Sequence, residues 1–124
     1  MNRIFTSILL LLIIATSCKP KRSTIQVQNM LSKAIINNVE WGGLPLTSKL
    51  LPGQASNKIS IYEEDSYYDI ELPESHPLKF YMELNGEKVY LETRESYNLG
   101  KGSDLVVTIT DSTKVFNPLL ESQK

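Results

Sequence analysis

The chain has 124 residues, a length that suits one domain, and its 13 basic and 14 acidic side chains give a net charge of −1. This balance argues against a nucleic-acid-binding protein, which presents a basic face to the phosphates. Six prolines, six glycines and six tyrosines, spread among short apolar runs, favour an all-β domain.

The first 17 residues have the pattern of a secretory signal peptide. Arg3 precedes an apolar run from Ile4 to Ala15 that only Thr6 and Ser7 interrupt. A run of about 12 residues is too short to span a bilayer as a helix, which needs roughly 20. A basic start, a short apolar run and small residues at its end are typical of a cleaved signal peptide. An uncleaved helical anchor is the alternative.

The only cysteine, Cys18, ends the sequence Ala15-Thr16-Ser17-Cys18, which resembles the lipobox of bacterial lipoproteins. The resemblance implies that a signal peptidase cuts before Cys18. It also implies that the Cys18 sulfur carries diacylglycerol, usually with an acyl chain on the new amino terminus. Two or three acyl chains hold a protein to a membrane far more stably than one. We expect no other cofactor.

Residues 18–23 would then form a lipidated tether beside the membrane. Lys19, Lys21 and Arg22 are cations, which favour anionic lipid head groups. Some lipoproteins similar to this one carry acidic residues here as a signal for surface export, and this tether has none. We therefore expect a protein of the cell envelope that is anchored to the outer membrane and faces the periplasm.

The first strand of the predicted domain lies in residues 24–30, where Ile25 and Val27 alternate with glutamines. A second strand is expected in residues 34–41. Its apolar residues do not alternate cleanly, and Asn37-Asn38 predicts a bulge that restores the inward face.

Residues 41–56 are interpreted as mostly connection. Within them, Pro52-Gly53 predicts a type II turn, because proline presets φ at the first central position and glycine accepts the positive φ of the second. Two further strands are expected at NKISIY and YYDIEL. PESHP should end the second of these, since prolines do not sit in a central ladder.

The clearest local signal is a β-hairpin in LKFYMELNGEKVYLET. Asn85-Gly86 is the preferred pair for a two-residue type I′ turn. This turn fixes a register that pairs Lys79 with Glu92, Phe80 with Leu91, Tyr81 with Tyr90, Met82 with Val89, Glu83 with Lys88 and Leu84 with Glu87. One face is then apolar, and the other carries the tyrosine pair between two pairs of opposite charge.

After the hairpin, ESYNLGKGS is interpreted as a turn, and residues 104–110 as the last strand. Both faces of that strand are apolar or β-branched, as in a central strand. Residues 112–124 are a tail that either docks on the domain or stays loose. The chain therefore predicts about seven strands in a two-layer antiparallel β-sandwich over residues 24–111, with an incomplete barrel as the alternative.

The order of these features resembles a group of small, uncharacterised bacterial lipoproteins with an immunoglobulin- or transthyretin-like β-sandwich. The similarity lies in VQNMLSKAIINNVEWGG, LLPGQAS and LVVTITD, and it covers roughly residues 24–111. It implies the sandwich fold and the lipid anchor. The group has no catalytic residues to carry over, and the aromatic hairpin is not part of the similarity.

Four aromatic residues are candidates for a ligand-binding or interaction face: Trp41, Tyr67, Tyr81 and Tyr90. A lone tryptophan in a sandwich is most often core, and the alternative is a stacking platform for a sugar ring. The paired tyrosines suit contact with a partner, since tyrosine is enriched at interfaces. With one histidine, His76, and one cysteine, the chain lacks the ligands of a zinc site. No catalytic or metal-binding residue is predicted.

The sequence thus predicts a non-enzymatic lipoprotein that acts as a structural or protein-interaction module of the cell envelope. It would bind another envelope protein through the hairpin face or through an exposed sheet edge. A glycan-binding module that uses Trp41 and the tyrosines is the alternative. An enzyme is the least favoured class, because no catalytic constellation appears.

Overall fold

The computed structural model describes residues 22–62 and 70–121. The predicted signal peptide, the acylation site Cys18 and the candidate Tyr67 lie outside the described residues. No helix within these two ranges is long and apolar enough to cross a bilayer. The described part forms ten strands and a short helix, namely β1 (Arg22–Met30), β2 (Ile35–Trp41), β3 (Leu44–Leu50), β4 (Ile59–Tyr62), β5 (Glu74–His76), β6 (Leu78–Leu84), β7 (Glu87–Thr93), β8 (Tyr97–Leu99), β9 (Asp104–Thr110), β10 (Val115–Phe116) and α1 (Pro118–Glu121).

The strands form three sheets, which confirms the predicted all-β class. Their orders are β4-β1-β9, β10-β7-β6-β2-β3 and β5-β8. Neighbours are antiparallel except β1 and β9, which run parallel with Ile25 beside Leu105. The prediction of about seven strands is therefore wrong, because the described residues form ten. The prediction that all strands are antiparallel is wrong for β1 and β9. Parallel neighbours need a crossover connection, and here the crossover is the whole chain between the two strands, so no local pattern indicates it.

The two larger sheets and β8 contribute side chains to one hydrophobic core. Its largest completely buried members are Trp41, Phe80 and Ile25. Side chains of this size each contribute roughly 1.5–3 kcal/mol when they leave water. The core therefore holds the sheets together.

The predicted bulge in β2 is confirmed. Asn38 has a φ of 50°, and the register of β2 against β6 shifts between Asn37 and Glu40. Because of the extra residue, Ile36 and Val39 both face the core and are fully buried, although they are three positions apart.

The two predicted turns are also confirmed. Gly53 has a φ of 86°, and the backbone N–H of Gln54 donates to the Leu51 carbonyl at 3.0 Å, as a type II turn requires. In the hairpin, Asn85 and Gly86 have φ values of 54° and 80°, and all six predicted pairs occur. Turn type and register agree because both are fixed by neighbouring residues.

Three segments that were predicted as connections or strand ends contain strands. Residues 41–56 include β3, whose Leu44, Leu46 and Leu50 are buried. Pro45 is tolerated there because β3 is the edge of its sheet, where a missing N–H costs little. PESHP contains β5 and ESYNLGKGS contains β8, and these short strands pair only with each other.

Two other strand predictions differ from the structure. In the predicted strand YYDIEL, residues 70–72 are not in a strand, and the remainder lies outside the described residues. β9 is an edge strand, not a central one, because β1 lies between it and β4. The Val106 side chain, on the outer face of β9, is 47% exposed. The apolar character of that face therefore does not mean that the face is buried.

The chain beyond β9 returns to the five-stranded sheet. In β10, Val115 lies opposite Thr93 and Phe116 opposite Glu92. The Arg94 guanidinium lies 4.7 Å from the centre of the Phe116 ring and forms an ion pair with Glu121 of α1. These contacts join β10 and α1, which belong to the predicted tail, to β7 and to Arg94, the residue that follows β7.

Candidate functional site

Trp41 belongs to the core and presents no face to a ligand. Its side chain is 0% exposed, and its indole N–H donates to the Tyr97 carbonyl at 3.0 Å. The edge of the His76 ring packs against it, with the ring centres 5.1 Å apart and the planes at 85°. The possible role of Trp41 as a stacking platform is therefore wrong, because a fully buried ring cannot contact a sugar.

His76 covers Trp41 and is held by Glu74. Its Nε2 lies 2.6 Å from Oε2 of Glu74, two residues earlier in β5. This hydrogen bond lowers the pKa of the Glu74 carboxyl below its ordinary value of 4.5, against the opposing effect of desolvation. A hydrogen bond from the Glu71 backbone N–H, at 3.0 Å from Oε1, acts in the same direction.

The lowered pKa of Glu74 predicts an acid-sensitive contribution to stability. A carboxyl with a lower pKa in the folded state stabilises the fold above its unfolded pKa and stops doing so as pH falls through the folded pKa. Glu74→Gln should therefore lower the thermal midpoint at pH 7, and the gap to the natural chain should begin to shrink below about pH 4.5 and close below the lowered pKa of Glu74. Thermal unfolding of both chains across pH 3–7 tests this. A gap that is constant with pH would contradict it.

Gly42 allows His76 to approach the β2–β3 turn closely. Gly42 has a φ of 58°, and a Cβ there would lie 2.4 Å from Cδ2 of His76. Gly43 also has a positive φ, of 82°, but a Cβ there would meet nothing within 4 Å. Both glycines therefore have a positive φ, but only Gly42 lies in close contact with His76.

Substitution of these glycines should separate the two effects. Gly43→Ala should cost about 1–2 kcal/mol, because only the backbone strain of a left-handed residue applies. Gly42→Ala should cost about 1–2 kcal/mol more, since the packed ring must also move. Urea unfolding of each chain measures both, and His76→Ala should remove the difference. Equal costs for the two glycines would show that the ring does not constrain this turn.

Tyr81 and Tyr90 lie side by side on the outer face of the five-stranded sheet. Their ring centres are 5.2 Å apart with the planes tilted by 56°, and Tyr81 is 40% exposed. They are the predicted cross-strand pair. The structure thus brings together two of the four candidate aromatic residues and leaves Tyr81 open to solvent, while Tyr90 is half-buried.

A groove of about 530 Å³ begins at this tyrosine pair and crosses the bulge of β2 to reach β3. We call it the tyrosine groove. The extra residue of the bulge bends β2 locally at this point. The lining residues are Asn38, Val39, Glu40, Pro45, Leu46, Thr47, Ser48, Lys79, Tyr81 and Tyr90.

The charges of the tyrosine groove are balanced. Glu40 of β2 lies opposite Lys79 of β6 in the strand register, and among the described residues these two are the only charged ones that line the groove. On its other side Lys79 faces Glu92 of β7. The remaining polar lining consists of an amide and hydroxyl groups, so the surface suits a ligand that is rich in neutral hydrogen-bonding groups.

Sequence reasoning missed the β3 wall of this groove. Thr47 and Ser48 fall in the segment that was interpreted as mostly connection. The alternation of Leu44 and Leu46 with Pro45 and Thr47 was the available signal, but a proline within the run argues against a strand.

Within residues 22–62 and 70–121, no group of three or more His, Cys, Asp or Glu side chains could hold a metal ion. Comparisons of the chain with protein-family models, with curated proteins and with solved structures gave no match.

Proposed function

We propose that this chain is a bacterial lipoprotein and that its folded domain is a non-catalytic structural or protein-interaction module of the cell envelope. Diacylglycerol on the Cys18 sulfur and an acyl chain on the Cys18 amino group would anchor it to the outer membrane, facing the periplasm. The sequence Ala15-Thr16-Ser17-Cys18 after a short apolar run supports the anchor. Several β-sheets that share one hydrophobic core support an immunoglobulin- or transthyretin-like sandwich.

The observation that carries the interaction role is the Tyr81–Tyr90 pair beside a groove, in which Tyr81 is exposed. Two adjacent aromatic rings on the outside of a sheet add little to the core, whereas tyrosine is enriched where proteins meet partners. The partner expected first is another envelope protein. A glycan is the second candidate, and the polar lining of the tyrosine groove is the specific observation that favours it.

Cross-linking in the native envelope tests whether this face makes the contact. The natural chain should form a cross-linked species, and Tyr81→Ala with Tyr90→Ala should abolish it. Tyr62→Ala is the matched control, because Tyr62 is 42% exposed but lies on β4 in the other sheet. If the double variant cross-links as the natural chain does, the hairpin face is not the contact.

A further inference from the structure

We infer that the tyrosine groove binds a neutral saccharide, with Tyr81 as the platform for one sugar ring. This inference rests on the proposed function, because it takes the outer hairpin face as the contact surface. It names the class of ligand for that surface from the residues that line the groove.

The tyrosine pair has the geometry of an open platform. A parallel stack of the two rings would cover their faces, but the planes are tilted by 56° at a centre distance of 5.2 Å. Tyr81 remains 40% exposed at the border of the groove. An exposed aromatic face offers the apolar C–H side of a sugar ring a large contact area at low entropic cost, and the phenol hydroxyl remains able to hydrogen-bond.

The β2 and β3 side of the groove supplies polar side chains. Asn38 lies in the bulge of β2, and Thr47 and Ser48 lie in β3, and all three line the groove. Hydroxyl and amide groups donate and accept, which matches the neighbouring hydroxyls of a sugar. The Thr47 hydroxyl donates only a long hydrogen bond, 3.5 Å, to the Lys49 carbonyl. A ligand can therefore replace this hydrogen bond at a small cost in free energy.

The charge and volume of the groove suit a neutral saccharide. The pairing of Glu40 with Lys79 gives the groove no net charge, which disfavours polyanions such as phosphate-rich chains. Its volume lies in the range of small-molecule sites, about 300–1,000 Å³. The exposed apolar side chains Leu84 and Val89 lie near the hairpin tip and do not line this groove.

The groove is held in place by buried neighbours. Val39 next to the bulge is 0% exposed, and Asn37 donates from Nδ2 to Oε2 of Glu83 at 3.2 Å. A site that is fixed before binding loses less conformational freedom when the ligand arrives. The bulge therefore acts as a rigid floor for the saccharide.

Calorimetric titration of the full chain in detergent with chitopentaose, cellopentaose and maltopentaose tests the inference. At least one of the three should bind, and Tyr81→Ala should weaken its binding by about tenfold or more. Thr47→Val, which removes the hydroxyl and keeps the shape, should weaken it by a smaller factor. Tyr62→Ala should bind like the natural chain. Fluorescence of the buried Trp41 checks that each variant is folded.

Absence of binding to all three sugars, or binding that Tyr81→Ala leaves unchanged, would overturn the saccharide site. The two proposals can fail separately. If no sugar binds but the cross-linked species still disappears in the double tyrosine variant, the face contacts a protein and the proposed function stands. If neither sugar binding nor cross-linking depends on the tyrosines, the face is not a contact surface at all.

Discussion

Replacement of Trp41 by alanine should lower the free energy of unfolding by about 3–5 kcal/mol, the usual cost of deleting a large buried aromatic side chain. Trp41 is the largest completely buried residue of the core, and its indole N–H is satisfied by the Tyr97 carbonyl. The substitution opens a cavity between β2 and the β5–β8 pair and leaves that carbonyl without its donor. Because small domains have only about 5–15 kcal/mol of stability, a large fraction would be lost.

Urea unfolding followed by far-ultraviolet circular dichroism measures this effect without the tryptophan signal. Trp41→Phe is the matched control, since it keeps an aromatic ring in the core and removes only the hydrogen bond and part of the volume. It should cost clearly less than Trp41→Ala. A loss below about 1 kcal/mol for Trp41→Ala would mean that the side chain is not packed as described.

Asn29 should be the most sensitive polar residue of the fold. Its side chain is 0% exposed, and Nδ2 donates to the carbonyls of Ala34 and Leu50 at 3.0 and 2.9 Å. Its Oδ1 accepts from the Leu31 backbone N–H at 3.0 Å. One amide thus joins the end of β1, the connection to β2 and the end of β3.

Asn29→Ala should cost about 3 kcal/mol, because three hydrogen bonds are lost and two buried carbonyls lose a donor. Asn29→Asp should cost more at pH 7, since a buried carboxylate would face those carbonyls with no donor between them. Its extra cost should shrink in acid, where a protonated carboxyl can donate to one carbonyl. Gln28→Ala, at a half-buried neighbouring position, should change little. Urea unfolding of each chain at pH 7 and pH 4 measures these changes in the free energy of unfolding. Equal losses for Asn29→Ala and Gln28→Ala would contradict this account.

Sequence reasoning succeeded where the structure is fixed by residues close in the chain. Asn85-Gly86 determines the hairpin turn, and the turn determines which residues pair. Asn37-Asn38 determines the bulge, because only an extra residue lets Ile36 and Val39 share a face. These features need no knowledge of the rest of the fold.

The same reasoning failed where distant segments decide the outcome. β5 and β8 are three residues each, too short to show a period, and each exists because the other pairs with it. The parallel pairing of β1 with β9 joins the two ends of the domain. The proline in β3 indicates a connection by local rules, and only the sheet order shows that an edge strand tolerates it.

The parts of the candidate site that depend on nearby residues were predicted, and the parts that depend on distant segments were not. Tyr81 and Tyr90 follow from the hairpin register, so their pairing was predicted correctly. Trp41 had both a core and a surface interpretation, and a single aromatic residue carries no local signal that separates them. The groove itself requires β2, β3 and β6 to meet around the bulge, which the chain places together only after folding.

The intact mass of the protein from a membrane fraction tests the central claim, a lipid-anchored module, most directly. The natural chain should begin at Cys18 and carry the added mass of diacylglycerol and an acyl chain, and Cys18→Ala should lose that mass. A chain that keeps its first 17 residues, or that is cut without acylation, would contradict the lipoprotein assignment.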